Sequence, residues 1–428
     1  MRKLLINLIT ISSLSLSMVA NVAYAAESQT EEKATKRVPA LRAKVYSQLA
    51  RAQALADEGK ATEAIEALDN VQKKKASMNS YEVAMMHNFY AFIHYNQENY
   101  AEAISSFKQV VAEEAIPESL RLSTLYSLAQ LAMMAEDYDL SINYLEQWMA
   151  AAGDKVNARS YVLLAQAHYA KKDYQSALKP LQTAIDLTEA DQKIPEENWL
   201  VLQRAIYYEL KQPAKVAQVL ERMVQLFDKP EYWLQLSNMY GELELEVKQM
   251  ATMETAYQRG FVTKRSDLLT LSQLYVFNRV PYKGAQLLQK AMADGVVEET
   301  TQNLKFVAQS LVMAREEKAA IPVLAKAATL AEDGNLDAEL AQTLMNIQDF
   351  EGAIKAAEKA LNKGQLDRPG ITHLVLGMSY YNLKKFNEAI VAFESAANFK
   401  ESQKMANQWT GYVRREADTE MQLAQAGL

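Results

Sequence analysis

The sequence predicts an all-α fold built from repeated pairs of helices, and three observations support this prediction. Only 13 of the 428 residues are Gly and 9 are Pro, which argues against a turn-rich β fold. Ala, Leu, Gln and Glu are abundant, and these residues favour helix. Helical periodicity begins near Leu41 and continues almost to the end of the chain. A chain of this length exceeds one ordinary globular core, so two domains or a repeat array are expected.

The stretch 370–396 shows the repeated unit most clearly. Leu376 and Gly377 are followed by Tyr380, and then by Ala389 and Phe393. This order resembles the tetratricopeptide repeat (TPR), a helix–turn–helix unit of about 34 residues with the pattern L-G-x2-Y…A-x3-F. Its large residues fill the space between two antiparallel helices, and its small residues let the two backbones approach. The resemblance implies a TPR superhelical solenoid, in which each repeat packs against its neighbours.

The same register gives ten copies within residues 41–402. The copies begin near Val45, Ala84, Leu122, Ala158, Glu197, Pro230, Arg265, Thr301, Gly334 and Gly370. The eighth residue of each copy should be small, and Arg204 is the one exception. At the twentieth residue Val216 and Gln249 depart from the pattern, so the second helices of the fifth and sixth copies match it least well. The alternative is an irregular helical bundle with chance matches.

Residues 1–26 have the features of a secretory signal peptide. Arg2 and Lys3 precede an apolar stretch, and residues 23–25 form a small-x-small cleavage pattern. An uncleaved membrane anchor is the alternative, although the apolar stretch is short for one. No later segment has 18 consecutive apolar residues, so we expect no stable membrane insertion after the signal is cleaved. The expected location is the periplasm of a Gram-negative bacterium.

The segments on either side of the array have different compositions. Residues 27–40 are polar and mostly aperiodic, and are expected to form a flexible linker. Residues 403–428 predict a C-terminal capping helix and tail, with Trp409, Tyr412 and Val413 facing inward.

Composition and motifs argue against catalysis and against several kinds of partner. The net charge of −7 argues against nucleic acid, which needs a basic surface. The absence of Cys excludes disulfides, thiol nucleophiles and Cys-ligated metals. No phosphate-binding, dinucleotide-binding or zinc-protease motif occurs, and the repeat pattern assigns His94, His168 and His373 to packing positions. We therefore predict no catalytic, cofactor-binding or metal-binding residues. An enzyme with an unrecognised site is the alternative, and would need His, Asp and Glu converging in one pocket.

Candidate binding residues follow from the resemblance, because the first helix of each TPR lines an inner groove with its residues 2, 5, 9 and 12. The ninth residue is Gln or Asn in seven of the ten copies. An amide both donates and accepts hydrogen bonds, so a row of amides suits the backbone of an extended peptide. The twelfth residue adds four tyrosines. The alternative is that Gln is simply a good helix former on a wet surface. The candidates are Gln53, Gln130, Gln166, Asn238, Gln273, Gln309, Gln342, Tyr95, Tyr169, Tyr208 and Tyr381.

One known kind of TPR groove does not match this sequence. TPR domains that clamp the C-terminal carboxylate of chaperones have Lys at position 5 and Asn at position 9 of their first clamping repeat. Here Lys305 is followed by Gln309, and position 5 is otherwise mostly apolar. We therefore do not expect a carboxylate clamp of that type.

The whole chain is also similar to exported TPR proteins of gamma-proteobacteria that are described as components of the TonB system. The matching features are the signal peptide, the Cys-free array of ten copies and the segment 37–42 (RVPALR). The resemblance implies a non-catalytic periplasmic scaffold that is an accessory of TonB-dependent energy transduction for outer-membrane transport. It also implies that the partner is a protein or extended peptide, namely TonB, ExbB or ExbD. A scaffold for envelope assembly, in polysaccharide export or outer-membrane protein biogenesis, is the alternative.

Overall fold

The computed structural model describes residues 38–425. These residues form 21 α-helices and two short 3-10 helices, Lys75–Ser77 and Gly153–Lys155, and contain no strand. The predicted all-α class is confirmed. The predicted signal peptide, 1–26, lies outside the described residues, as does most of the predicted linker. The chain divides into two compact units, of which the first ends at Phe227 and the second begins at Asp228.

The first unit contains five antiparallel helix pairs. Its helices are α1 Ala43–Asp57, α2 Ala61–Gln72, α3 Ser80–Asn96, α4 Tyr100–Ala112, α5 Glu118–Met134, α6 Tyr138–Ala152, α7 Ala158–Ala170, α8 Tyr174–Ala190, α9 Glu197–Glu209 and α10 Pro213–Phe227. Each odd-numbered helix is the first of a pair. Within this unit neighbouring first helices contact each other, as α1 does α3 and α7 does α9. We therefore take the first helices to line the inner side of the unit.

The second unit contains five more pairs and a final single helix. Its helices are α11 Pro230–Glu242, α12 Glu246–Gln258, α13 Arg265–Phe277, α14 Pro281–Ala293, α15 Thr301–Met313, α16 Glu317–Leu330, α17 Asn335–Asn346, α18 Phe350–Lys363, α19 Pro369–Asn382, α20 Phe386–Ala396 and α21 Gln403–Gln425. Here too first helices contact each other, because α19 touches α17 and α21.

The observed helices follow the copies that the sequence predicts. In the fourth to eighth pairs the first helix begins at the predicted residue, and in the ninth and tenth it begins within one residue of it. The first three begin two to four residues earlier, because local signals add a turn. At α3 the side chain of Asn79 accepts a hydrogen bond from the backbone N–H of Glu82, and Glu82 bonds back to the backbone N–H of Asn79. This capping box starts the helix four residues before Ala84.

All ten pairs join their two helices by a turn of the same construction. Each turn has three residues, and the middle one has a positive φ angle. In the second pair the N–H of Asn99 donates to the carbonyl of His94, and the N–H of Glu98 donates to the carbonyl of Tyr95. These two bonds define the Schellman motif that ends many helices. Glycine occupies the middle position only in the first turn, at Gly59, and the other nine turns place Glu, Lys, Arg or Gln in the left-handed conformation there.

Close packing within a pair depends on the small residue at the eighth position. Gly377 shows this, because a Cβ atom added there would lie 2.7 Å from the ring of Phe393, which is fully buried. In the fifth pair the buried residue is Gln203, one position before the half-buried Arg204. The amide of Gln203 donates to Gln182 of the preceding pair at 2.9 Å. This bond joins the first helix of the fifth pair to the second helix of the fourth.

The helix α21 covers the end of the second unit with an aromatic contact. Val413 is buried, and the ring of Trp409 stacks on Phe393 with centroids 5.7 Å apart. Tyr412, also predicted to face inward, is 42% exposed, but its ring contacts that of Tyr381 with centroids 5.8 Å apart. Its hydroxyl lies 3.3 Å from that of Tyr381 at the edge of the helix.

Each unit also buries one carboxylate with basic partners. In the first unit the buried Glu82 accepts bonds from Arg42, which immediately precedes α1. In the second unit the buried Asp337 lies 2.9 Å from the Nζ of Lys359 and 2.8 Å from that of Lys363. Buried charges of this kind tie helices together when their partners are in place and destabilise the fold when a partner is lost.

Candidate functional site

The predicted amides lie on the first helices of their pairs. Three belong to the first unit, where they are half-buried, and four belong to the second. In the second unit Asn238, Gln273 and Gln309 are exposed, and Gln342 is half-buried. The amides of the second unit therefore present more of their side chains to a ligand.

The hydrogen bonds of the amides divide them into two groups. Gln53 donates to Asp57 at 2.7 Å and Gln342 donates to Asn346 at 3.1 Å, in each case four residues along the same helix. Gln309 donates instead to Glu339 of the next pair. The other four make no side-chain hydrogen bond to residues 38–425. They are Gln130, Gln166, Asn238 and Gln273. Their donors and acceptors are available to a ligand.

Three of the four predicted tyrosines pack at the turn of their own pair. Tyr95 contacts Tyr100 with ring centroids 6.3 Å apart, and Tyr169 contacts Tyr174 at 5.4 Å. Tyr381 contacts the first residue of its second helix in the same way, with its centroid 6.0 Å from that of Phe386. Each of the three is half-buried. Their packing supports the turn, which leaves only part of each ring for a ligand.

Among the four predicted tyrosines, Tyr208 differs in its exposure and Tyr381 in its pKa. Tyr208 is 63% exposed, the largest exposure of the four, and so offers most of its ring to a ligand. The hydrogen bond to Tyr412, together with burial, raises the pKa of Tyr381 to about 12, so this hydroxyl stays protonated at physiological pH.

A concave pocket of about 220 Å³ lies in the second unit, between the first helices of the seventh and eighth pairs. It brings together two of the predicted amides, Gln273 on α13 and Gln309 on α15. Its lining residues are Leu269, Gln273, Leu288, Gln302, Asn303, Lys305, Phe306 and Gln309. The pocket combines apolar surface with three glutamine amides.

Lys305, in the wall of this pocket, forms a charged pair with Glu339 of the next helix pair. The Nζ of Lys305 lies 3.9 Å from a carboxylate oxygen of Glu339, and the amide of Gln309 donates to both oxygens of that carboxylate at 3.1 and 3.2 Å. The lysine charge is thus compensated within the protein. This arrangement agrees with the expectation that Lys305 and Gln309 do not form a carboxylate clamp.

Sequence reasoning identified only part of this pocket. Glu339 occupies the sixth position of its copy and Phe306 the sixth position of the preceding one, and neither is among the positions expected to face the groove. The amphipathic pattern of α15 places Phe306 on the side of the helix that faces the hydrophobic core. No local pattern in the sequence indicates that Glu339, in the next pair, contacts α15. Only the packing of α15 against α17 brings these residues together.

The described residues also bear on catalysis and membrane insertion. Between residues 38 and 425 no three His, Asp or Glu side chains converge in an arrangement suited to a metal ion. The ring of Tyr90 stacks with His94 and makes a tilted contact with His87, and burial lowers the pKa of His87 to about 4. Among the helices of this same range, none is both long enough and apolar enough to cross a bilayer.

Comparison with known families agrees with the helix pairs. Models of the tetratricopeptide repeat match residues 49–119 and 126–192 in the first unit and residues 372–403 in the second. These segments are tetratricopeptide repeats. The matched segments lie in both units and together cover less than half of the chain. No curated protein sequence matches it significantly.

Solved TPR structures resemble parts of the chain at low identity. MamA from Desulfovibrio magneticus RS-1 is 19% identical, with 44% of this chain and 97% of that one covered and a TM-score of 0.33. YrrB, described as a TPR protein with an unusual peptide-binding site, is 13% identical over 45% of this chain and 97% of its own, with a TM-score of 0.35. A TPR protein from Parabacteroides merdae ATCC 43184 is 11% identical over 62% of this chain and 98% of its own, also with a TM-score of 0.35.

Proposed function

We propose that this protein is a non-catalytic scaffold that binds a partner protein along the first helices of its repeats. The observation that carries the proposal is that four of the seven ninth-position amides have no hydrogen-bonding partner among residues 38–425. Such amides can bond the peptide groups of an extended segment, whose own donors and acceptors must be satisfied when it leaves water. TPR proteins as a class act through protein–protein contacts, which is consistent with this role.

The proposed location is the periplasm, and the proposed partners are TonB, ExbB or ExbD. The location is supported by the signal-like segment 1–26, and the partners by the resemblance that the segment 37–42 and the Cys-free array carry. In this role the scaffold would help to couple energy from the inner membrane to uptake across the outer membrane. Its acidic net charge of −7 favours partners with basic segments.

The proposed binding mode distributes affinity over many shallow contacts. Each amide contributes a hydrogen bond, which is worth about 0.5–1.5 kcal/mol net. A single substitution should therefore weaken binding by no more than about tenfold, and several must be combined to abolish it.

The proposal is tested by crosslinking and affinity pull-down from a periplasmic extract, with the chain from Glu27 as bait and mass spectrometry as readout. The test variant changes Gln130, Gln166, Gln273 and Gln309 together to Glu. A matched control makes the same change at four exposed glutamines on second helices. The control positions are Gln109, Gln175, Gln225 and Gln286.

Recovery of TonB-system proteins that the test variant loses and the control retains would support both partner and surface. Recovery that neither variant affects would support the partner and place the binding surface elsewhere. If both variants lose the partner, added negative charge rather than groove geometry is responsible. Recovery of envelope-assembly proteins alone would refute the TonB role and favour the alternative scaffold.

A further inference from the structure

The pocket between α13 and α15 has the features of a specificity site rather than another stretch of groove. We propose that it holds one uncharged apolar side chain, such as Leu, Met or Phe, of an extended segment of a partner protein. This inference rests on the proposed function and specifies the chemistry of the ligand at one point of the binding surface.

The base of the pocket is apolar. Leu269 and Phe306 are half-buried and pack against the hydrophobic core of the second unit, and Leu288 from α14 is 1% exposed. A volume of about 220 Å³ is below the roughly 300–1,000 Å³ typical of small-molecule pockets. It suits a single large side chain. An apolar side chain placed there would be removed from water and would contact residues that are themselves at least half-buried.

Amides surround this apolar base. Gln273 and Gln302 make no side-chain hydrogen bond to the described part of the chain. Gln309 is oriented by Glu339, because its Nε2 donates to both carboxylate oxygens. Its Oε1 is therefore left as an acceptor. The pocket can thus bond the N–H and C=O groups that flank an inserted side chain.

The charge in the pocket wall is already paired, which disfavours a charged anchor. Lys305 and Glu339 have opposite charges and lie 3.9 Å apart, so together they present no net charge to the ligand. A carboxylate or ammonium group placed among Leu269, Leu288 and Phe306 would lose its hydration. It would find no unpaired charge of opposite sign in return. The ligand is accordingly an internal segment with a neutral anchor and not a charged chain terminus.

The test measures the binding of peptide pools to the chain from Glu27 by fluorescence polarisation. The probes are labelled, amidated nonapeptide pools whose central residue is fixed as Leu, Met, Phe, Ser, Lys or Glu. The binding variant is Leu269→Ala with Phe306→Ala. Its matched control is Met250→Ala with Val323→Ala, since both residues are also half-buried and pack on the same core but lie on second helices, outside the groove. A second variant, Gln302→Trp, blocks the pocket from an exposed position without altering the core.

We expect the Leu, Met and Phe pools to bind at least about tenfold more tightly than the Ser, Lys and Glu pools. Leu269→Ala with Phe306→Ala, and separately Gln302→Trp, should remove this preference, and Met250→Ala with Val323→Ala should retain it. Tighter binding of the Lys or Glu pools, no preference among pools, or an equal loss of preference in Met250→Ala with Val323→Ala would overturn the inference.

The outcomes separate this inference from the proposed function. A pool preference that depends on the pocket, together with a pull-down that recovers no TonB-system protein, would support the pocket and refute the partner. A pull-down that depends on the four amides, together with no pool preference, would support the groove and refute the apolar anchor.

Discussion

The buried pair of Arg42 and Glu82 yields a prediction that can be worked through quantitatively. The carboxylate of Glu82 accepts bonds from the backbone N–H, Nε and Nη2 of Arg42 at 3.0, 2.7 and 2.6 Å. It also accepts a bond from the backbone N–H of Asn79 at 3.1 Å. These bonds favour the ionised form, and the largest contribution is the side-chain bond from Arg42. They lower the pKa of Glu82 from 4.5 to about 2.

The lowered pKa of Glu82 implies a defined dependence of stability on pH. A difference of about 2.5 pH units corresponds to about 3 kcal/mol of folding free energy. Because the pKa is lower in the folded state, the unfolded chain binds the proton more tightly. The stabilisation is therefore fully present above about pH 4.5, falls as the pH decreases, and is almost lost at pH 2.

The assay compares Glu82→Gln with the parent chain by hydrogen exchange of α1 and α3 at pH 7, 4 and 2. Local exchange is suitable because each repeat contacts mainly its neighbours and opens in part independently. At pH 7 the substitution should increase the opening constant by roughly a hundredfold, which corresponds to about 3 kcal/mol.

Glu102→Gln, at an exposed site on α4, is the control for the Glu82 experiment and should change stability by less than about 0.5 kcal/mol. The reasoning is refuted if Glu82→Gln protects α3 as well as the parent chain does at pH 7. It is equally refuted if the difference between the two chains is the same at pH 2 as at pH 7.

Three other substitutions test the packing and the buried charges. Gly377→Ala places a Cβ atom 2.7 Å from the ring of Phe393 and should destabilise the second unit by about 1–3 kcal/mol in urea unfolding, whereas Gly411→Ala, with its nearest contact at 3.9 Å, should not destabilise it. Asp337→Asn removes the buried carboxylate shared by Lys359 and Lys363, whose side chains are 51% and 22% exposed and keep part of their hydration, so it should cost about 1–3 kcal/mol in the same assay. The pKa of His87 falls from 6.5 to about 4 on burial, so parent stability should decrease as the pH falls between these values. In an acid titration followed by circular dichroism, His87→Phe should make that decrease smaller, with His373, whose pKa burial also lowers, contributing to the remainder.

Much of the fold follows from the sequence because each copy repeats the same packing pattern. The first helices of the fourth to eighth pairs begin where the copies were predicted to begin. The first helices of the first three pairs begin earlier than predicted because of local capping. The spacing of buried small residues, from which the copies were predicted, contains no information about capping. Arg204 shows a second limit. The sequence marks this position as an exception, but only the three-dimensional packing shows that Gln203 is buried there and bonded to Gln182.

The candidate site is less predictable from sequence than the fold. The position of an amide on a helix follows from the repeat, but its hydrogen-bonding state depends on neighbours. Gln53 and Gln342 are bonded within their own helices, which the spacing of four residues to a polar partner indicates in the sequence. The bond from Gln309 to Glu339 joins residues 30 apart and has no such local signature. The binding role of all these residues stays a prediction.

The turns explain why the ninth residue, which is an amide in most copies, keeps the same place in every pair even where other positions depart from the repeat pattern. In every pair the ninth residue lies six positions before the turn residue with positive φ. Nine of these ten turn residues are not glycine, and each non-glycine residue costs about 1–2 kcal/mol in this conformation. Local preference therefore does not hold the turns in place. The pairing of the two helices and the Schellman hydrogen bonds must offset that cost in each repeat. Because the same turn recurs even in the fifth pair, where Arg204 departs from the packing pattern, the ninth position keeps its place relative to the turn.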